Sequence, residues 1–212
     1  MYFWGSFYQI FYLDKLYTDR YITLMSSRPL ISACALKLFA ERGYDAVGVQ
    51  EIVDAAGITK PSLYHHFGSK RGLLEALIAP LFQEVNEALA HAASYHHDLP
   101  QNLDQAAACF FSFAEKQPLF SRLMLSMIHA PIKSEARLVI QPWLEEQYRT
   151  FETLFRLASG DHGNMKGRSK PFAATFLGML HTYVSLFLDG NTGLDDRVRR
   201  EAVRQFSHGI YS

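Results

Sequence analysis

Residues 27–75 are punctuated by glycines into pieces too short to stand alone as helices. Gly43, Gly57 and Gly68 each close an apolar-periodic run, and isolated helices shorter than about 12–15 residues are marginal in water. Such pieces fold only by packing on one another. Ser27 and Pro29 suit a helix start, and Ile31, Ala35, Leu38 and Phe39 recur at one-face spacing. Val49, Ile52, Val53 and Ala56 repeat that spacing after Gly48. Thr59 is placed to cap a third, short helix with Pro61 in its first turn, Leu63 and Phe67 inward, and Ser69 caps a fourth from Lys70. Two helices of about eight residues around a glycine turn make a helix-turn-helix.

The outward side of the third helix constrains its partner. Gly57–Gly72 holds Lys60, Lys70 and Arg71, the pair His65–His66 and no carboxylate. A helix with a polar, basic and aromatic face suits a DNA major groove, where side chains reach base edges while cations and hydroxyls hold phosphates. The whole chain is balanced, with 21 basic and 21 acidic residues, so a local patch rather than bulk charge must attract a polyanion. Its 49% hydrophobic content excludes a disordered tail protein. Two cysteines, Cys34 and Cys109, are too few for a disulfide framework and suit a reducing cytoplasm.

The run Gly43-Tyr44 to Leu73-Leu74, and within it Ser62-Leu63-Tyr64-His65-His66-Phe67-Gly68-Ser69-Lys70, resembles the DNA-binding domain of the tetracycline-repressor (TetR) family. The resemblance implies an all-α protein: an N-terminal three-helix helix-turn-helix domain over residues 25–72, then a helical ligand-binding and dimerisation domain over residues 73–212. It implies a transcriptional regulator, most often a repressor released from a palindromic operator by a small ligand. By position it implies DNA contacts from Gln50, Thr59, Lys60, Pro61, Ser62, Tyr64, His65, His66 and Lys70. At Val47-Gly48 the sequence departs from the family's Thr or Ser before the second helix, which removes one phosphate contact per half-site. The competing reading is a helical interaction module that keeps this form without binding DNA.

No strand-like alternation persists after Lys70. Helices are expected from Lys70 to about Ala93 with Pro80 inside, from Pro100 and Asn102, from Pro118 with Leu119, Leu123, Met124, Met127 and Ile128 inward, and from Glu135 to Ala158. Gly160–Lys170 reads as a polar, mobile connector. Phe172–Leu188 carries no Asp, Glu, Lys or Arg. It reads as too short and too polar for a membrane span, so it needs cover from its own domain and from a second subunit. A homodimer through helices at about 172–190 and 194–210 would provide that cover. Phe110, Phe113, Met124, Met127, Trp143, Phe151, Phe176, Met179 and Tyr183 are candidates for an apolar pocket that takes an apolar or aromatic effector.

Enzyme chemistry has no support: the chain lacks a nucleophile elbow, a Walker loop, a metalloprotease motif and a nucleotide-binding glycine fingerprint. No cofactor or metal is expected, and His91, His96 and His97 read as a wet connector. Residues 1–24 hold nine aromatic side chains and fit neither a signal peptide nor a span. They are expected to lie outside the native fold, with Met25 as the start.

Overall fold

The computed structural model describes residues 27–209. The expectation for residues 1–24, and the end of the last helix at Ile210, lie outside them. The described residues are helical throughout, without a strand. The first helix, α1, covers residues 27–42. It is followed by α2 (Val49–Ala56), α3 (Lys60–Phe67), α4 (Lys70–Ala92), α5 (Leu99–Lys116), α6 (Pro118–Ile128), α7 (Glu135–Ala158), a 3₁₀ turn (Gly163–Met165), α8 (Ser169–Leu188) and α9 (Asp196–His208). The all-α reading and the helix order stand as expected from the sequence.

The head is α1 to α3 packed on the start of α4. Ile31, Ala35 and Phe39 of α1, Ile52 and Val53 of α2, Leu63 of α3 and Leu73 and Leu74 of α4 are buried to within 1%. The short helices therefore share one apolar centre. The body is α4 to α9. Phe82 stacks on Trp143 at 5.5 Å and meets Phe120 edge-on at 5.0 Å. Phe151, Phe155, Phe176 and Phe206 form a second aromatic knot at 5.1–6.3 Å. Leu119 was expected inward and is exposed. Phe120, one position on, fills the core between Phe82 and Phe113 instead, and α6 turns the preceding leucine outward.

The connector after α7 is more organised than its composition suggests. Met165 is buried within the 3₁₀ turn. Asp161 accepts a 2.7 Å bond from Tyr95 Oη and lies 2.7 Å from His97 Nδ1, which ties this connector to the α4–α5 loop. Helix α8 is longer than the charge-free run that marks it. Its 20 residues hold an 18-residue window of mean hydropathy 1.4, long and apolar enough to cross a membrane by length and composition alone, whereas the shorter run Phe172–Leu188 reads from sequence as too short and too polar. Its inner face nevertheless supplies Ala173, Phe176, Leu177, Leu180 and Val184 to the core, while Thr175, Gly178, Thr182 and Leu186 face outward.

Candidate nucleic-acid interface and effector cleft

Helix α3 is held by both its neighbours. The α2–α3 turn passes through Gly57 at φ 63°, where the Ile58 amide donates to the Val53 carbonyl at 3.0 Å. That left-handed residue is a glycine position. Beyond α3, the Ser69 hydroxyl accepts from the Gly72 amide at 2.9 Å and caps α4. A Cβ on Gly72 would lie 2.1 Å from the Phe67 carbonyl oxygen. The last carbonyl of α3 thus occupies the space of a missing side chain on α4, and the angle between the two helices is fixed at that contact.

Only Leu63 of α3 is fully buried. Thr59, Lys60, Pro61, Tyr64 and His65 are exposed on its outer side and Ser62 is half-buried. Thr59 sits at the N-cap position, but its hydroxyl makes no capping bond. Three expected contacts are engaged within the protein. The Gln50 amide donates to Asp54 at 2.7 Å. His66 Nε2 lies 2.8 Å from the Ser27 hydroxyl, pinning α3 to α1. The Lys70 ammonium sits 4.1 Å from the centre of the Tyr44 ring, and burial there lowers its pKa.

The Tyr44 ring connects head to body. Its side chain is buried beside Phe39 at 5.1 Å, and its hydroxyl donates to Glu135 at the start of α7. Burial first, then that bond, raises the phenol pKa well above its ordinary value.

Residues 31–77 match the family model for bacterial regulatory proteins of the tetR family. The chain is 28% identical over 175 residues to the transcriptional activator FasR of Mycolicibacterium smegmatis, covering 82% of this chain and 78% of that protein. The head belongs to the TetR family. It is the family's DNA-binding helix-turn-helix. Over 51 residues, 24% of this chain and 25% of the relative, it is 52% identical to the transcriptional repressor KstR2 of Rhodococcus jostii. The fold superposes on the FadR regulator of Bacillus subtilis, solved with stearoyl-CoA, with a TM-score of 0.70 at 17% identity, covering 86% of this chain and 98% of that one.

Two clefts open among the described residues of the body. The larger, about 800 Å³, opens between α7 and α8 and includes Leu144, Gln147, Tyr148, Leu177, Gly178 and His181. The smaller, about 500 Å³, lies between α8 and α9. Of the nine pocket candidates from sequence, Met179 and Tyr183 line the smaller cleft, and none lines the larger. Phe110, Phe113, Met124, Met127, Phe151 and Phe176 are buried in the core, and Trp143 is stacked on Phe82.

Sequence reasoning passed over Gln147 and His181. Gln147 is 1% exposed, and its Nε2 donates to Asn86 Oδ1 of α4 at 2.8 Å. Asn86 Nδ2 in turn donates to Glu146 at 2.8 Å and to the Trp143 carbonyl at 3.3 Å. These bonds fix both amide orientations, leaving Gln147 Oε1 buried without a partner. His181 Nε2 is also buried and unpartnered. Burial, with His129 nearby, pushes the imidazole pKa down to about 4, so the ring is neutral at pH 7. Gln147 interrupts the apolar run Ile140, Phe151, Leu154 on α7, and Asn86 interrupts Phe82, Val85, Leu89 on α4. Amides within core stripes of two packed helices were the available signal.

Among the described residues no group of three or more His, Cys, Asp or Glu side chains could hold a metal ion.

Proposed function

We propose that this chain is a dimeric operator-binding repressor that a small amphipathic effector releases from DNA. One observation carries the reading: α3 presents Lys60, Pro61, Tyr64 and His65 outward on a face without a carboxylate, the form a major groove accepts. Lys60 and Pro61 are the candidates for base edges, with Thr59 and Ser62 beside them. Tyr64 and His65 are the candidates for phosphates. Gln50, His66 and Lys70 join them only by leaving their internal partners. Residues 25–72 form the reading domain, and residues 73–212 the effector and dimer domain, in the cytoplasm with the DNA.

The charge-free outer side of α8, with Thr175, Gly178, Thr182 and Leu186, supports a subunit interface together with α9. Reading helices on two subunits then enter successive major grooves about 34–36 Å apart. The repressor KstR2 supports release rather than recruitment as the mode of action, although the FasR relative is an activator. FadR was solved with stearoyl-CoA, which supports an effector with a long aliphatic chain.

The test is selection of bound fragments from the source genome, followed by fluorescence anisotropy on the recovered site. Lys60→Ala is expected to change sequence preference, and Tyr64→Phe to weaken all sequences alike. No binding to any fragment at low salt would refute the reading in favour of an interaction module.

A further inference from the structure

The larger cleft carries a specific chemical demand. Gln147 Oε1 is an acceptor without a donor, and His181 Nε2 lacks a partner on the facing helix. Both residues line the same space between α7 and α8. Leu144, Leu177 and Ile128 give it an apolar stretch of wall, Arg137, Glu145, Arg149, Glu152 and Lys170 line it with both signs of charge, and Gly178 leaves the space beside α8 open. We propose that this cleft binds an uncharged molecule whose amide or hydroxyl head donates to Gln147 and bonds His181, with an aliphatic stem along Leu144 and Leu177. The proposal deepens the effector reading above and rests on it for its regulatory consequence.

At the two buried atoms themselves a neutral head is favoured over a charged one. A carboxylate head would face the Gln147 carbonyl oxygen, lone pair against lone pair, beside an imidazole that carries no charge at pH 7. An ammonium would be desolvated between two neutral groups. A neutral donor–acceptor head satisfies both buried atoms without moving a charge out of water.

The same amide reports occupancy to the head. Gln147 holds Asn86 on α4 through its other end, and α4 bears on α3 at Gly72 and Phe67. A head group that draws Gln147 toward His181 pulls on Asn86, and α4 responds as a unit.

The experiment uses the full chain and three probes of equal stem: decanamide, 1-decanol and decanoate. Isothermal titration is expected to show decanamide and 1-decanol binding at least tenfold more tightly than decanoate. His181→Phe keeps an aromatic ring beside Phe110 (now 5.6 Å away) and removes both ring nitrogens. It is expected to weaken decanamide roughly tenfold, the worth of one buried hydrogen bond. Gln147→Met is expected to do the same, with His181→Phe deciding the matter should the methionine variant not fold. Equal affinity for decanoate, unchanged affinity in His181→Phe, or no binding of either neutral probe would overturn the proposal.

Operator binding is measured on the same preparations. DNA binding without amide binding defeats this inference and leaves the regulator reading intact. Amide binding without DNA binding defeats the regulator reading and leaves the cleft assignment intact.

Discussion

Removing one oxygen from Tyr44 tests how the head is attached to the body. The hydroxyl donates to Glu135 across 91 residues of sequence. Tyr44→Phe keeps the ring, its packing on Phe39 and the Lys70 ammonium over its face, so the change isolates the bond. A hydrogen bond to a charged group contributes about 1.5–3 kcal/mol when both ends are buried. Tyr44 is 3% exposed, but Glu135 lies at the surface and is rehydrated when the phenol leaves. The expected loss is therefore at the low end, about 1–1.5 kcal/mol, or roughly 2–5 °C in Tm for a chain this size. Glu135 also favours the N-terminus of α7 by its charge, so Glu135→Gln alone mixes two effects. A double-mutant cycle in urea removes the second. A coupling energy below about 0.3 kcal/mol would refute the attachment. The pH dependence has a definite sign. The folded state holds the phenol pKa above its ordinary value, so this contribution is intact below about pH 10. It is lost as the pH rises from there toward the raised folded pKa, and Tyr44→Phe removes that alkaline dependence.

Three further outcomes are expected. Gly72→Ala places a methyl group against the Phe67 carbonyl; strain of this kind is about 1–3 kcal/mol and outweighs the higher helix propensity of alanine, so urea unfolding should show a net loss and operator affinity should fall as α3 tilts. An equal or higher midpoint would show that the junction yields freely. His181 has a folded pKa depressed from 6.5 to about 4, so its contribution is whole above pH 6.5 and lost as pH falls toward 4; at about 1.4 kcal/mol per unit the loss is at most about 3.5 kcal/mol, and denaturation of His181→Phe across pH 4–7 should lack that slope. Thr182→Arg sets a charge on the outer side of α8 and should shift sedimentation at micromolar concentration toward monomer, whereas an unchanged profile would move the interface elsewhere.

The head was legible because its signals are local. Glycine stops, caps and one-face spacing each act within a few residues, and they sufficed to place α2, α3 and the turn between them. The body's helices were legible for the same reason, with Pro118 opening α6 and Ser134 capping α7. What escaped was set by pairs far apart in the chain. Six of the nine pocket candidates lie wholly in the core because aromatic content marks apolar packing as readily as it marks a cavity. Gln147 and Asn86 stand 61 residues apart, and neither is unusual in its own helix. Gly72 read as an ordinary early residue of α4 until the Phe67 carbonyl was seen in the space of its side chain.

These long-range contacts converge on α4. At its first turn Gly72 admits α3. In its middle Asn86 holds Gln147 of α7. At its far end the Asn102 amide donates to the carbonyls of Ala92 and Ser94 at 2.6 and 2.9 Å, tying α4 to α5. A helix gripped at three points transmits a displacement that a loosely packed one would absorb. A ligand shifts the balance between two tilts only by binding one more tightly than the other. The cleft meets that condition where Gln147 must serve Asn86 and the bound head group at once. An effector that satisfied His181 alone would bind without moving α4, and operator affinity would not change in its presence.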